Sequence, residues 1–348
     1  MMDKLKVFLQ NAVDNNKFPG AHYAYVTQDN IITDFVGYKQ TYPTKEALKG
    51  DEVYDVASLT KVISTTTLVM KLIELGKLSL DTKINTLLKR YKHPNTTIKD
   101  LLSHQSGLPA DVPKIRTVKD GSAMMDIIYN MELAYEPHTK VIYSDVGFIL
   151  LGKIIEILYE MPIDQAAIKY IFEPLGMKDS NYKPDVNRAA PTEYHDDDFS
   201  KGLLKGQVHD EKSYLFGGLS GHAGLFSTAS DIGLFIQSIL KDEFVLNKQL
   251  TDMLFEPVIT DDSLGYKVTR TLGYLKPYDD SFAGKYRDFD QTIGHTGFTG
   301  CHMFIDKKNK LGFVLVSNAV HPKRNLNQII GLRNEIGNII YKMKEEQQ

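Results

Sequence analysis

Runs of β-type residues stand at both ends of this chain, so its fold has to bring the two ends together. After Pro19-Gly20, "AHYAYVTQDNIITDFVGY" reads as two strands about a turn at Gln28-Asp29-Asn30. From about residue 264 the runs "TIGHTGFTG", "CHMFIDKKN" and "KLGFVLVSN" share that texture, and Asn325 to Lys344 close the chain with a helical pattern. Between them, up to about residue 255, helical patterns alternate with Pro/Gly loops, as in "TIKDLLSHQSGLP", "DVGFILLGKIIEILYE" and "ASDIGLFIQSILKD". The economical arrangement is one antiparallel sheet built from both termini and flanked by the terminal helices, with a mostly α-helical subdomain inserted between, an α/β (α+β) class. Residues 1–57 and 264–348 then form the sheet part, and 58–263 the helical part, of a single unit spanning 1–348.

Composition narrows the class. At 348 residues, 42% hydrophobic and 24% charged, the chain is globular and large enough for two packed subdomains. The balance of 41 basic against 44 acidic residues, with no long basic stretch, argues against nucleic acid as a partner. A lone cysteine, Cys301, excludes an internal disulfide. Near the start, Leu5, Phe8, Leu9, Ala12 and Val13 share one helical face ending near Asn15, without the continuous apolar core of a signal peptide. No apolar stretch is long enough for a membrane span. The chain as written is therefore expected to be cytoplasmic, with the cell surface the alternative for a trimmed chain.

One apolar helix, sustained from about Leu59 to Leu75 and stopped by Gly76, opens on Ser58 and Lys61. Residues three apart on a helix are neighbours, so the hydroxyl and the amine can meet as nucleophile and base. A serine in the first turn also lies where unpaired N–H groups point outward, which suits an oxyanion. S-x-x-K recurs at Ser180/Lys183 and Ser238/Lys241, but the first runs into Pro184 and the second ends an amphipathic helix. Taken alone, "SLTK" fits an N-cap serine beside a solvated lysine equally well.

Two further motifs follow in order: "YSDVG" at Tyr143 to Gly147, ahead of another apolar helix, and "GHTGFTG" at Gly294 to Gly300, on an expected strand. With "SLTK" they resemble the serine β-lactamase and penicillin-binding-protein superfamily, whose signature is S-x-x-K, Y-x-N and K/H-T-G. The resemblance is closest to its class C β-lactamase, D-alanyl-D-alanine peptidase and esterase branch. "GKLSLDTKI", "EPLGM" and "GGLSGHAGLFSTASDIGLF" extend it over about residues 53 to 318. It implies a β-lactamase/transpeptidase-like catalytic domain that uses no cofactor. Ser58 would be the acylated nucleophile, Lys61 its partner, and Tyr143 the residue sharing proton transfer. The N–H groups of Ser58 and Phe298 would form the oxyanion hole, with Thr296 and Gly297 lining the strand along which substrate lies. The ten histidines include no H-x-x-x-H or H-E-x-x-H pair, so no metal is expected either.

Two departures stand out. Asp145 replaces the usual Asn, and a carboxylate near Lys61 should favour the charged ammonium and shift proton transfer towards Tyr143. His295 replaces lysine in K-T-G and is mostly neutral near pH 7. Both reduce positive charge, so weak or absent β-lactam hydrolysis is expected. The function implied is a serine hydrolase working through an acyl-enzyme on Ser58, a carboxylesterase or D-alanyl-D-alanine-type peptidase acting on a small-molecule or cell-wall peptide or ester. The alternatives are a non-hydrolytic penicillin-binding sensor and a class C-like β-lactamase. Of the remaining motifs, "GLSGH" at Gly218 to His222 reads as a Gly-rich loop beside the site, and His209-Asp210-Glu211 as a polar cluster that could enter the cleft, with a structural loop the expected role. Cys301 and His302, adjacent on a strand, should face opposite ways.

Overall fold

The computed structural model describes residues 2–346 except 198, 200, 264, 279 and 280. Three strands come from the N-terminal side: β1 (Gly20–Thr27), β2 (Ile31–Gln40) and β3 (Glu46–Ala47). Six short strands follow as the pairs β4 (Tyr54–Asp55) with β7 (Phe226–Ser227), β5 (Tyr194–Asp196) with β6 (Lys201–Leu203), and β8 (Ile259–Asp261) with β9 (Val268–Arg270). The last three are β10 (Thr292–Thr296), β11 (His302–Asp306) and β12 (Leu311–Ser317). The two ends meet in one six-stranded antiparallel sheet, ordered β10-β11-β12-β1-β2-β3. β1 and β12, at the middle, are the seam between N- and C-terminal segments, with Tyr23 opposite Leu315. The sheet resumes only at Thr292, later than the texture from residue 264 suggests, because among the described residues Thr271 to Gln291 form mostly turns and loops.

The central strands β11, β12 and β1 are buried on both faces, which explains why they read as nearly continuous apolar runs, while β2 and β3 at one edge are largely half-buried or exposed. Ala24, Val26, Met303, Ile305, Val314 and Val316 face a core shared with the helical region. Their strand neighbours Tyr23, Tyr25, Phe304, Phe313 and Leu315 face a second core, closed by the Asp3–Asp14 and Arg333–Glu345 helices. The same alternation sends Cys301 to the first core, while the His302 ring packs on Phe313 in the second. The Ala229–Leu240 helix covers β1 and β12 on the first face. Among the described residues no helix is long and apolar enough to cross a membrane.

The helix behind Ser58 is not uniform. From Lys61 to Thr66 it is wound as a wider π-helix before the α-helical Thr67–Glu74 segment. This stretch, "KVISTT", is rich in β-branched residues, whose crowding against the preceding turn disfavours tight winding. Within it, Thr65 Oγ1 donates to the Gly221 carbonyl at 2.6 Å, and Tyr182 Oη to Ser64 Oγ at 2.8 Å. Gly221 in turn rests on the Asp145–Tyr159 helix. A Cβ there would lie 2.2 Å from the Phe148 carbonyl oxygen and 3.0 Å from Gly152 Cα. The helices carrying "SLTK" and "YSDVG" are therefore locked together through this one loop backbone. Gly221→Ala should lower stability by roughly 1–3 kcal/mol through overpacking, read as a lower thermal-unfolding midpoint than the wild type.

Candidate active site

Ser58 sits in a turn between β4 and the helix that starts at Leu59. The turn is shaped by Ala57, held at φ 48°, a left-handed conformation that costs a residue with a Cβ about 1–3 kcal/mol. Asp55 keeps it there. Its Oδ1 accepts from the Ala57 N–H at 2.8 Å and its Oδ2 from the His209 N–H at 2.7 Å, while its carbonyl accepts from Thr299 Oγ1 at 2.8 Å. Three segments of the site thus converge on one buried aspartate. Among the described residues no acceptor faces the backbone N–H of Ser58 or of Phe298.

Lys61 is fully buried beneath Ser58, and each of its three N–H groups has an acceptor. They are Ser58 Oγ at 3.0 Å, the His222 carbonyl at 2.9 Å and Asp145 Oδ1 at 2.7 Å. Burial alone would push the ammonium pKa down, but Asp145 and Tyr143 outweigh it and hold the value above that of an ordinary lysine. Burial likewise disfavours the Asp145 carboxylate, yet Lys61, His222 and Lys212 keep its pKa below the usual range. Tyr143 Oη is buried and has no hydrogen-bond partner among the described residues, with Lys61 Nζ 4.8 Å from its ring centroid.

β10 brings its residues to the other side of Ser58. Gly297 closes against the nucleophile turn so tightly that a Cβ would lie 2.6 Å from the Val56 carbonyl oxygen. His295 Nδ1 donates to the Thr296 carbonyl at 2.8 Å. Burial, with Arg270 and Lys61 nearby, drives its imidazole pKa well below the ordinary value, so it is neutral. Ser58, Tyr143, Asp145, His295, Thr296, Gly297 and Phe298 all line one cleft of about 550 Å³, and Lys61 lies under its floor.

A profile of the Beta-lactamase family matches residues 5–336. The chain belongs to the beta-lactamase family. It is a serine hydrolase of that family. Among its relatives, a protein of Escherichia coli K12 named "Putative D-alanyl-D-alanine carboxypeptidase" is 33% identical over 318 residues, covering 79% of this chain and 72% of that protein. An N-acetylmuramyl-L-alanine amidase of Bacillus subtilis is 29% identical, covering 90% of this chain and 81% of that one. Among solved structures, EstCE1, a hydrolase with promiscuous acyltransferase activity, superposes with a TM-score of 0.79 at 19% identity over 97% of this chain and 98% of that one. The octameric penicillin-binding protein homologue of Pyrococcus abyssi gives 0.74 at 20% identity over 99% and 80%. These last two likenesses are of fold.

In this beta-lactamase-family cleft the charge differs from the sequence expectation. His295 is neutral, as expected, but Arg270 and Arg333 also line the cleft, and no carboxylate pairs with either among the described residues. Burial pushes the Arg333 pKa down to about 10, which leaves it charged at neutral pH. Arg324 lies there too, but Glu193 Oε2 at 2.7 Å and Glu211 Oε1 at 3.2 Å balance it. Local charge therefore gives no reason for the cleft to reject a carboxylate-bearing ligand such as a β-lactam. Arg270 is brought in by β9, which bridges through Leu275 to Gly294 of β10, a non-local pairing that leaves no local signal.

His209-Asp210-Glu211 enters the cleft, the alternative to the structural loop expected. All three residues line the cleft, because Asp55 anchors the His209 backbone beside Ser58. The Gly-rich loop lies where expected, with the His222 carbonyl on Lys61. Two clusters have a metal-like donor set, Glu193/His195/His209 and Asp145/Asp210/His222. Each already holds a cation of the chain itself: the Arg324 guanidinium on Glu193, and the Lys212 ammonium between Asp145 and Asp210. The other S-x-x-K serines are structural in their contacts, Ser180 on Ser227 and Asp231, and Ser238 on the Phe235 carbonyl. Asp55 was missed, although a charged residue inside "VYDVAS" was its visible signal. Asp55→Ala would leave two buried N–H groups unpaired and should cost about 2–5 kcal/mol, read as a lower denaturant midpoint at unchanged m-value.

Proposed function

We propose that the chain cleaves an amide of a carboxylate-bearing peptide of cell-wall type through an acyl-enzyme on Ser58. The observation that carries this reading is the placement of two guanidiniums without carboxylate partners among the described residues, buried Arg270 and half-buried Arg333, in the cleft that holds Ser58 and Tyr143. The two relatives named above carry the names of amide-cleaving enzymes, a carboxypeptidase and an amidase, which agrees with it.

In the acylation step Ser58 Oγ attacks the carbonyl carbon and its proton passes to Tyr143 Oη, while the Tyr143 hydroxyl gives its own proton to the leaving amine as the C–N bond breaks. Lys61 is a poor candidate for that proton, because its three N–H groups already donate to Ser58, Asp145 and the His222 carbonyl. The charged ends of Lys61 and Arg270 lie 4.8 and 5.2 Å from the Tyr143 ring centroid. The oxyanion takes the N–H groups of Ser58 and Phe298. A water that attacks the acyl-enzyme reverses the relay, its proton passing to Tyr143 Oη while the hydroxyl proton returns to Ser58 Oγ.

A fluorophosphonate probe should label Ser58, with no labelling of Ser58→Ala. Release of D-alanine from a D-alanyl-D-alanine peptide should exceed turnover of a chromogenic ester that lacks a carboxylate. Tyr143→Phe should lower both activities by roughly 10²-fold or more at unchanged circular dichroism. Arg270→Gln should lower the peptide-to-ester ratio of kcat/KM by about tenfold, the worth of one charge-assisted hydrogen bond. Labelling without turnover of either substrate would favour the non-hydrolytic sensor. No labelling would remove Ser58 as the nucleophile.

A further inference from the structure

The acylation steps above make no use of Lys212. It lies in the Glu211–Leu215 helix with its side chain buried. Its ammonium is 3.2 Å from Asp145 Oδ2, 3.0 Å from Asp210 Oδ2 and 3.1 Å from Asp111 Oδ1. Asp145 gives its other oxygen to Lys61 at 2.7 Å. Asp210 gives its other oxygen to His222 Nε2 at 2.7 Å, and the His222 carbonyl accepts from Lys61 at 2.9 Å. The contacts close a ring through Lys61, Asp145, Lys212, Asp210 and His222.

We propose that Asp145 and Lys212 act as one neutral unit where an uncharged amide would otherwise serve, and that Lys212 is a positioning residue that divides the charge of Asp145 between two ammoniums. The proposal rests on the reading of Ser58 as nucleophile. A carboxylate placed alone against Lys61 in a buried site would be costly to desolvate and would anchor the lysine proton. Lys212 counters both effects. It draws on the far oxygen of the same carboxylate, and its own positive charge opposes that of Lys61 across it. Asp210 and Asp111 keep Lys212 charged in turn, and the Asp145 N–H is fixed by the Ala110 carbonyl at 2.9 Å. The other titratable groups that bear on Lys61 are Tyr143, His104, His295 and His222, with Arg270 against Tyr143. Lys212 also pairs with Asp210 and Asp111, and His222 sits on Asp210, so the comparison rests on the double variant, which removes both charges of the unit together.

The test is the rate of Ser58 labelling by a fluorophosphonate from pH 5 to pH 10. It is measured for the wild type, Lys212→Gln, Lys212→Arg, Asp145→Asn and the double variant Asp145→Asn/Lys212→Gln. Removing the Lys212 charge leaves the negative charge of Asp145 unbalanced beside the group that accepts the Ser58 proton, so the pH midpoint should move up. Asp145→Asn removes that negative charge and leaves Lys212 positive, so the midpoint should move down. The double variant should fall between them and label at least about fivefold faster than independent effects would predict. Lys212→Arg should keep the wild-type midpoint. Should Lys212→Gln fail to fold, the double variant against Asp145→Asn carries the same comparison. Profiles that change only in amplitude, or single effects that simply multiply, would overturn the coupling and leave Ser58 labelling intact. A wild type that does not label would instead overturn the nucleophile assignment.

Discussion

The site is organised around one buried ammonium. Lys61 is fully buried away from bulk solvent, and a buried, unpaired charge of this kind would be expelled or neutralised. It stays because three chain segments each supply an acceptor: the nucleophile turn through Ser58 Oγ, the start of the Asp145–Tyr159 helix through Asp145, and the Gly-rich loop through the His222 carbonyl. Satisfying Lys61 and assembling the cleft are the same event. The left-handed Ala57 and the wide winding behind Ser58 are local costs tolerated because this junction holds both in place.

The sheet supplies the fourth side. Its central strands β11, β12 and β1 are buried on both faces, so a one-residue slip there would turn their side chains into the wrong core, and the register is strongly specified. That register carries Thr296 opposite His302 and leaves Gly297 at the strand end, against the Val56 carbonyl. Asp55 then ties the same corner to the Thr299 hydroxyl and the His209 backbone. Rigid packing of two cores places a few polar atoms to within hydrogen-bonding tolerance.

Much of this was legible in the chain. Alternation in "HYAYV" and "KLGFVLVS" marks strands, and "SLTK", "YSDVG" and "HTG" mark the corners of the cleft, because each needs residues close together in sequence. The pairing of Asp145 with Lys61 also followed from residue types alone. The charge of the cleft did not. Reading Asp145 and His295 as a loss of positive charge left out Arg270 and Arg333, which reach the cleft from β9 and from the C-terminal helix.

The sequence by itself determined the fold class, the order of the three motifs and the spacing that sets Ser58 beside Lys61, since periodicity and short spacings survive without tertiary contact. Only the tertiary structure decided which other side chains share the cleft with Ser58. Lys212 is 67 positions beyond Asp145 in the chain, and Asp55 is 154 before His209, yet each pair is in hydrogen-bonding or ion-pair contact. Electrostatic balance in a buried site depends on distances through space, and no local pattern encodes those.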